Sequence, residues 1–218
     1  AGLVVEPGVF GESSAYTEIE KIIDDENNQT ENLSSTTQNI SEGKIKKILA
    51  RRGMVIDFGG GVFLQILYPV GDVSKLETNT ASIVARLVYG ENEFLLTGDS
   101  PKNIENYLVS LEGKDQNCQE NISVDSETTG TTKKFGCLSL KSDVLKVAHH
   151  GSKNSTGEEF VKTVSPQYAV ISVGKDNRYG HPTEEVLNIL QNFGSKIFRT
   201  DELGNIIFQS DGVNLIIK

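Results

Sequence analysis

Apolar positions along this chain follow two rhythms. Short runs of four to eight residues, rich in Val, Ile, Leu and Phe, occur at Gly2–Glu6, Met54–Asp57, Val62–Tyr68, Ser82–Tyr89, Glu93–Thr97, Asp143–Ala148, Tyr168–Val173 and Lys196–Arg199. Runs of that length and content predict buried strands. Helical spacing appears instead at Ser14–Asp24, where Tyr16, Ile19, Ile22 and Ile23 share a face, and at Asn103–Leu111, Gly157–Val164 and Glu184–Phe193. Gly59–Gly60–Gly61 and Gly90–Glu91–Asn92 each join two strands as a hairpin, and Asp211–Gly212 joins Gly204–Ser210 to Val213–Ile217. Hairpins early and strand–helix alternation later predict a layered α/β protein.

Two stretches break the rhythm. Asp25–Ser41 is polar and rich in Asn, Thr and Ser, which predicts a mobile loop. Glu112–Leu140 is polar and charged between a helix and a strand, and reads as an insertion. The chain of 218 residues otherwise fits one domain spanning 1–218.

Composition narrows the function classes. No apolar stretch is long enough to span a bilayer, and Ala1–Phe10 lacks the basic start of a signal peptide. A net charge of −9 argues against a general nucleic-acid-binding surface. It does not argue against a nuclease, because a bound cation inverts the local field. Lys146, Lys153, Lys175, Arg178, Lys196 and Arg199 form either a local basic rim or ordinary solvated surface.

The 3 histidines fall in two short segments, VLKVAHHGSKN and SVGKDNRYGHPT. His149 and His150 end an apolar run, His181 sits between Gly180 and Pro182, and Asp99 ends the run FLLTGD. Polar groups at strand ends are held rigidly at the mouth of a fold. Three imidazoles and a carboxylate are raw material for a Zn or Mn site. The bland alternatives are a helix start at Ser100–Pro101 and another after His181. If the strand continues through His149 and His150, their side chains alternate, and at most one faces a given site.

LLTGD, VLKVAHHGS, YAVISVGKDNRYGHP and FRTDELGNI, in this order, resemble the C-terminal metallo-β-lactamase-like domain of ComEC-type competence proteins, the membrane proteins of DNA uptake. The resemblance covers about Met54 to Ile207 apart from the insertion, and GLVVEPG is similar to the strand that follows the family's first metal motif. That motif, HxDxDH, is the departure, since no histidine precedes His149. The resemblance implies an α/β metallo-β-lactamase-like αββα sandwich that is N-terminally incomplete, as a fragment or a truncated homologue. It implies Asp99, His149, His150 and His181 as metal ligands and catalytic residues, with Asp99 bridging. Two Zn or Mn ions are expected in the complete domain.

The activity so implied is a metal-dependent phosphodiesterase or nuclease acting on DNA, single strands included, at the extracytoplasmic face of the membrane and alongside the membrane-embedded parts of the same parent. The truncated chain is expected to be inactive unless the missing motif is supplied. Two alternatives stand beside it: a non-catalytic binding or scaffold domain of a DNA-uptake membrane protein, and a small-molecule hydrolase of the same superfamily, cytoplasmic or secreted. Lys153, Arg178 and Tyr179 are candidate substrate contacts, with plain loop surface as the alternative. Cys118 and Cys137 are the only cysteines, and both lie in the insertion. The extracytoplasmic placement implies a disulfide between them, against two unrelated thiols or a small metal site.

Overall fold

The computed structural model describes residues 3–9, 14–34, 45–114 and 138–218. Strand β1 (Leu3–Glu6) pairs in parallel with β2 (Lys46–Leu49), and helix α1 (Ser14–Ser34) lies between them in sequence. Then come β3 (Val55–Gly59), β4 (Val62–Tyr68), β5 (Val84–Tyr89) and β6 (Asn92–Leu96), joined as successive antiparallel pairs. Helices α2 (Lys102–Leu111), α3 (Glu158–Val164) and α4 (Glu184–Asn192) are crossovers that return the chain to β7 (Val144–Lys146), β8 (Tyr168–Ile171) and β9 (Lys196–Arg199). These last strands run parallel to β6, so one seven-stranded mixed sheet is ordered β3 to β9 as in the sequence. A short helix α5 (Thr200–Leu203) and the hairpin β10 (Phe208–Ser210)–β11 (Leu215–Ile217) follow.

The period-two alternation of each strand decides the layers. Leu95, Leu145, Ala169 and Ile171 point to one face and meet Ile104 and Leu108 of α2, Phe160 and Val164 of α3, and Val186 and Leu190 of α4. These side chains are almost wholly removed from water. Each large one contributes about 1.5–3 kcal/mol of transfer free energy. On the opposite face Ile66 and Ala85 pack with Val5 and Ala50 beside β1 and β2. Phe208 of the terminal hairpin meets Phe94, Tyr168 and Phe198 there, at ring-centroid separations of 6.0, 5.9 and 6.3 Å. The order is thus helices, main sheet, then two small β pairs. Helix α1 lies against the outside of β1–β2, where Lys47 pairs with Glu20. The layered α/β expectation agrees with this arrangement.

Three expectations need correction. Helix α1 runs to Ser34, so much of the stretch expected to be a loop from Asp25 is helical; residues 35–41 lie outside the described ones. Strand β2 was not expected: KKIL presents only one half-buried position, too few for a period. Ser100 does not cap α2; Pro101 is its N-cap, and no side chain caps the helix. The interior of the insertion, with Cys118 and Cys137, lies outside the described residues. Its two ends meet: the Glu112 carboxylate accepts from the Ser139 hydroxyl at 2.6 Å and the Leu140 N–H at 3.0 Å.

Candidate metal centre

Parallel strands joined by helices on one face all finish at the same edge of the sheet. That edge is where open α/β sheets place their sites. Beyond β6 comes Asp99, beyond β7 His149 and His150, beyond β8 the loop carrying His181, and beyond β9 Thr200. The sequence candidates are therefore gathered by topology.

Each is tied down locally. The buried Thr97 hydroxyl donates to the Lys146 carbonyl at 2.6 Å, joining the ends of β6 and β7. The Asp99 N–H donates to the Ser82 hydroxyl at 3.1 Å, and the His149 N–H donates to the Gly98 carbonyl at 3.1 Å. Burial pushes the Lys146 ammonium below its usual range, partly offset by the charge of Asp99.

The two adjacent histidines are not on a strand. Chain 148–151 is a 3-10 turn in which His149 (φ 47°, ψ 44°) and His150 (φ 57°, ψ 21°) both take the left-handed conformation. Non-glycine residues held there cost energy and cluster at functional sites. The alternation expected of a strand is thereby overturned, and the two rings stand on the same side, with centroids 6.3 Å apart. The His149 and His181 rings are 5.9 Å apart.

His150 is the best-defined member. Its Nδ1 lies 2.5 Å from the Ser172 carbonyl oxygen. A carbonyl only accepts, so Nδ1 carries the proton and Nε2 keeps its lone pair. A ligand histidine needs this second hydrogen bond to fix its tautomer. Nε2 lies 4.0 Å from Asp99 Oδ1. Two donors that each bind at about 2.0–2.2 Å can be at most about 4.4 Å apart around one ion.

His181 is held by its backbone. The Asn177 side chain accepts its N–H at 2.9 Å and donates to its carbonyl at 2.7 Å. The buried His181 Nδ1 has no hydrogen-bond partner. Burial lowers its pKa first, and the neighbouring His149 and His150 lower it further. The neutral ring is the form that ligates. The donor set suits a divalent ion in kind. Among the described residues, however, no three of these donors already stand close enough to hold one. Asp99 and His150 are the pair at ligating span.

Gly151 joins the two histidine segments. Its φ is +82°, and an added Cβ would lie 2.6 Å from Pro182 Cβ. Its carbonyl accepts from the Thr183 N–H at 2.9 Å and from the Thr183 hydroxyl. We expect Gly151→Ala to destabilise the protein by about 2 kcal/mol, from left-handed strain and displacement of Pro182. Gly71→Ala has open space and should stay within about 0.5 kcal/mol of the parent. Urea unfolding of the two variants checks this, and equal midpoints would refute the close approach.

A cavity of about 440 Å³ opens beside the centre, lined by His150, His181, Tyr179, Asn177 and Thr200 among others. Tyr179 thus reaches the site. Lys153 and Arg178 are exposed on flanking loops and do not line the cavity. The basic set divides: Arg199 pairs with Asp201 and Glu202, while Lys196 lies over Phe198 on the far face of the sheet. Ser172, Asn177, Gly151 and Thr200 were not singled out as site residues in the sequence. Ser172, Asn177 and Gly151 lay inside the two histidine segments, and that nearness was their signal.

The chain is 39% identical over 131 residues to ComE operon protein 3 of Bacillus subtilis, covering 60% of this chain and 14% of that protein. It is 34% identical over 148 residues to competence protein ComA of Neisseria gonorrhoeae, covering 68% and 18%, and 32% identical over 146 residues to recombination protein 2 of Haemophilus influenzae, covering 67% and 15%. The chain therefore spans less than a fifth of the length of these relatives. No family model matches it. A solved structure from Parabacteroides distasonis, named for a metal-dependent hydrolase, overlaps 92% of this chain and 76% of its own at a TM-score of 0.41 and 11% identity.

Proposed function

We propose that this chain, a homologue of the ComEC-type competence proteins, is the metal-dependent phosphodiesterase domain of a DNA-uptake protein. The observation that carries the proposal is the convergence of Asp99, His149, His150 and His181 at the ends of β6, β7 and the β8 loop, with His150 held in the ligating tautomer by the Ser172 carbonyl. Asp99 and His150 would hold such an ion, with His181 and His149 as the further imidazole donors beside them. A bound Zn or Mn supplies Lewis acidity and neutralises the charge of a phosphodiester. The second reading, a non-catalytic binding domain, is favoured by one fact: no three donors among the described residues already form a cluster.

The partners of the proposal are DNA and the membrane-embedded parts of the parent, at the extracytoplasmic face. No described helix is long and apolar enough to cross a membrane. The full-length parent should hydrolyse single-stranded DNA, lose that activity in chelator, and regain it with Mn or Zn. Hydrolysis indifferent to chelator removes the metal from the account. Absence of hydrolysis in metal-loaded parent favours the binding domain.

A further inference from the structure

We infer that Tyr179, stacked on His181 at the mouth of the cavity, is a platform for one unpaired base of single-stranded DNA and positions the strand without reading its sequence. The substrate class rests on the phosphodiesterase reading above. The platform itself rests on four observations.

First, the Tyr179 and His181 rings are nearly parallel, 21° apart in plane and 6.0 Å between centroids. One face of the tyrosine is thereby turned, with an offset, toward a centre histidine. Second, Tyr179 is 78% exposed, the most exposed large apolar side chain among the described residues, so the other face is open. A burial role does not explain a large ring left in water beside a cavity. Third, two polar side chains of the lining are already committed. Asn177 is committed at both ends to the His181 backbone. The Thr200 hydroxyl accepts from the Val173 N–H at 2.8 Å and donates to the Val173 carbonyl at 2.9 Å. The Ser172 carbonyl accepts from His150. A π face accepts any base. Fourth, Lys153, Lys175 and Arg178 are exposed on the same loops, where they can meet phosphates.

Stacking on Tyr179 requires a base with a free face. Inside a duplex both faces are covered by neighbours, so the platform selects single strands. A base held there places its own or the adjoining phosphate near His150 and Asp99. Tyr179 acts by positioning, and its removal should weaken binding more than turnover of bound strand.

The test uses this chain in chelator, so that no hydrolysis intervenes. Fluorescence anisotropy compares a short oligothymidylate with an abasic strand of equal length and with a duplex. The parent sequence should bind the oligothymidylate roughly tenfold tighter than either competitor. Tyr179→Ala should erase that preference and Tyr179→Phe should keep it, with circular dichroism unchanged in both. An aminopurine base in the strand should be quenched by the parent and by Tyr179→Phe, and not by Tyr179→Ala. No preference in the parent sequence, or a preference that survives Tyr179→Ala, overturns the proposal. The phosphodiesterase reading fails separately: metal-loaded parent that stacks a base and cuts nothing leaves Tyr179 as the platform of a binding domain.

Discussion

Asp99→Ala, His150→Ala and His181→Ala should each lower metal-dependent DNA hydrolysis by the full-length parent at least ~100-fold, with DNA affinity little changed. Losing a ligand carboxylate or imidazole removes several kcal/mol of transition-state stabilisation, and every ~1.4 kcal/mol is tenfold in rate. His149→Ala should do less than His150→Ala. The reason is no longer strand alternation, because both residues sit in one left-handed turn. His150 alone has its Nδ1 fixed on a carbonyl and its Nε2 4.0 Å from Asp99. His150→Gly separates ligand loss from misfolding, because glycine accepts φ 57° without strain. It should be inactive and at least as stable as the parent. Steady-state kinetics on the four alanine variants decide the matter, and full turnover by Asp99→Ala would remove the site.

Glu105→Ala should be the most damaging change outside the centre, and its effect should depend on pH. Glu105 of α2 is wholly buried, and its carboxylate accepts the Thr156 N–H at 2.6 Å and the Gly157 N–H at 2.9 Å. It thereby anchors the chain where it enters α3, whose N-cap Gly157 has no side chain to bond the first turn. Burial raises its pKa to about 7, against the lowering influence of the two N–H groups and of Lys102. The folded pKa lies above the ordinary carboxyl value of 4.5, so the folded state binds more protons between pH 4.5 and 7. The stability this group contributes is complete below pH 4.5 and is lost as pH rises through about 7. Ionising the buried group costs about 3 kcal/mol over that window.

Alanine strands two buried N–H groups at about 1–3 kcal/mol each. The loss should be about 3–4 kcal/mol in mild acid. It should shrink above neutrality, where the parent itself carries a buried charge. Glu105→Gln, which cannot ionise, should flatten the slope of stability against pH. Urea unfolding across the window measures all three proteins. An unaltered slope in Glu105→Gln would assign the pH dependence to another group.

What the sequence showed and hid follows from which forces are local. Strands β4 and β7 and helices α3 and α4 carry a period their own residues enforce, so their position was legible. Asp99 was legible as a candidate because it ends an apolar run, and His181 because histidine is rare in this chain. The left-handed turn at His149–His150 was not, since His149 is held by the carbonyl of Gly98 and Gly151 is pressed against Pro182. Both contacts cross tens of residues. Nothing in the sequence marks Glu105 as buried. Only the entry to α3, fifty residues on, gives its carboxylate partners. Whether Lys146 and Arg199 belonged to a basic rim or to ordinary surface stayed open, because a one-dimensional count cannot show which sheet face a lysine takes, or that Asp201 lies beside Arg199.

Calorimetric titration of this chain with Zn or Mn tests the central claim most directly. Asp99 and His150 stand at ligating span and no third donor has joined them among the described residues. The account predicts one weak site, with a Kd above about 1 µM, far short of the affinity of a closed four-ligand shell. Asp99→Ala and His150→Ala should each abolish that binding, and Gly71→Ala should leave it intact. A binding isotherm that persists unchanged in both Asp99→Ala and His150→Ala would place the ion elsewhere and contradict the account.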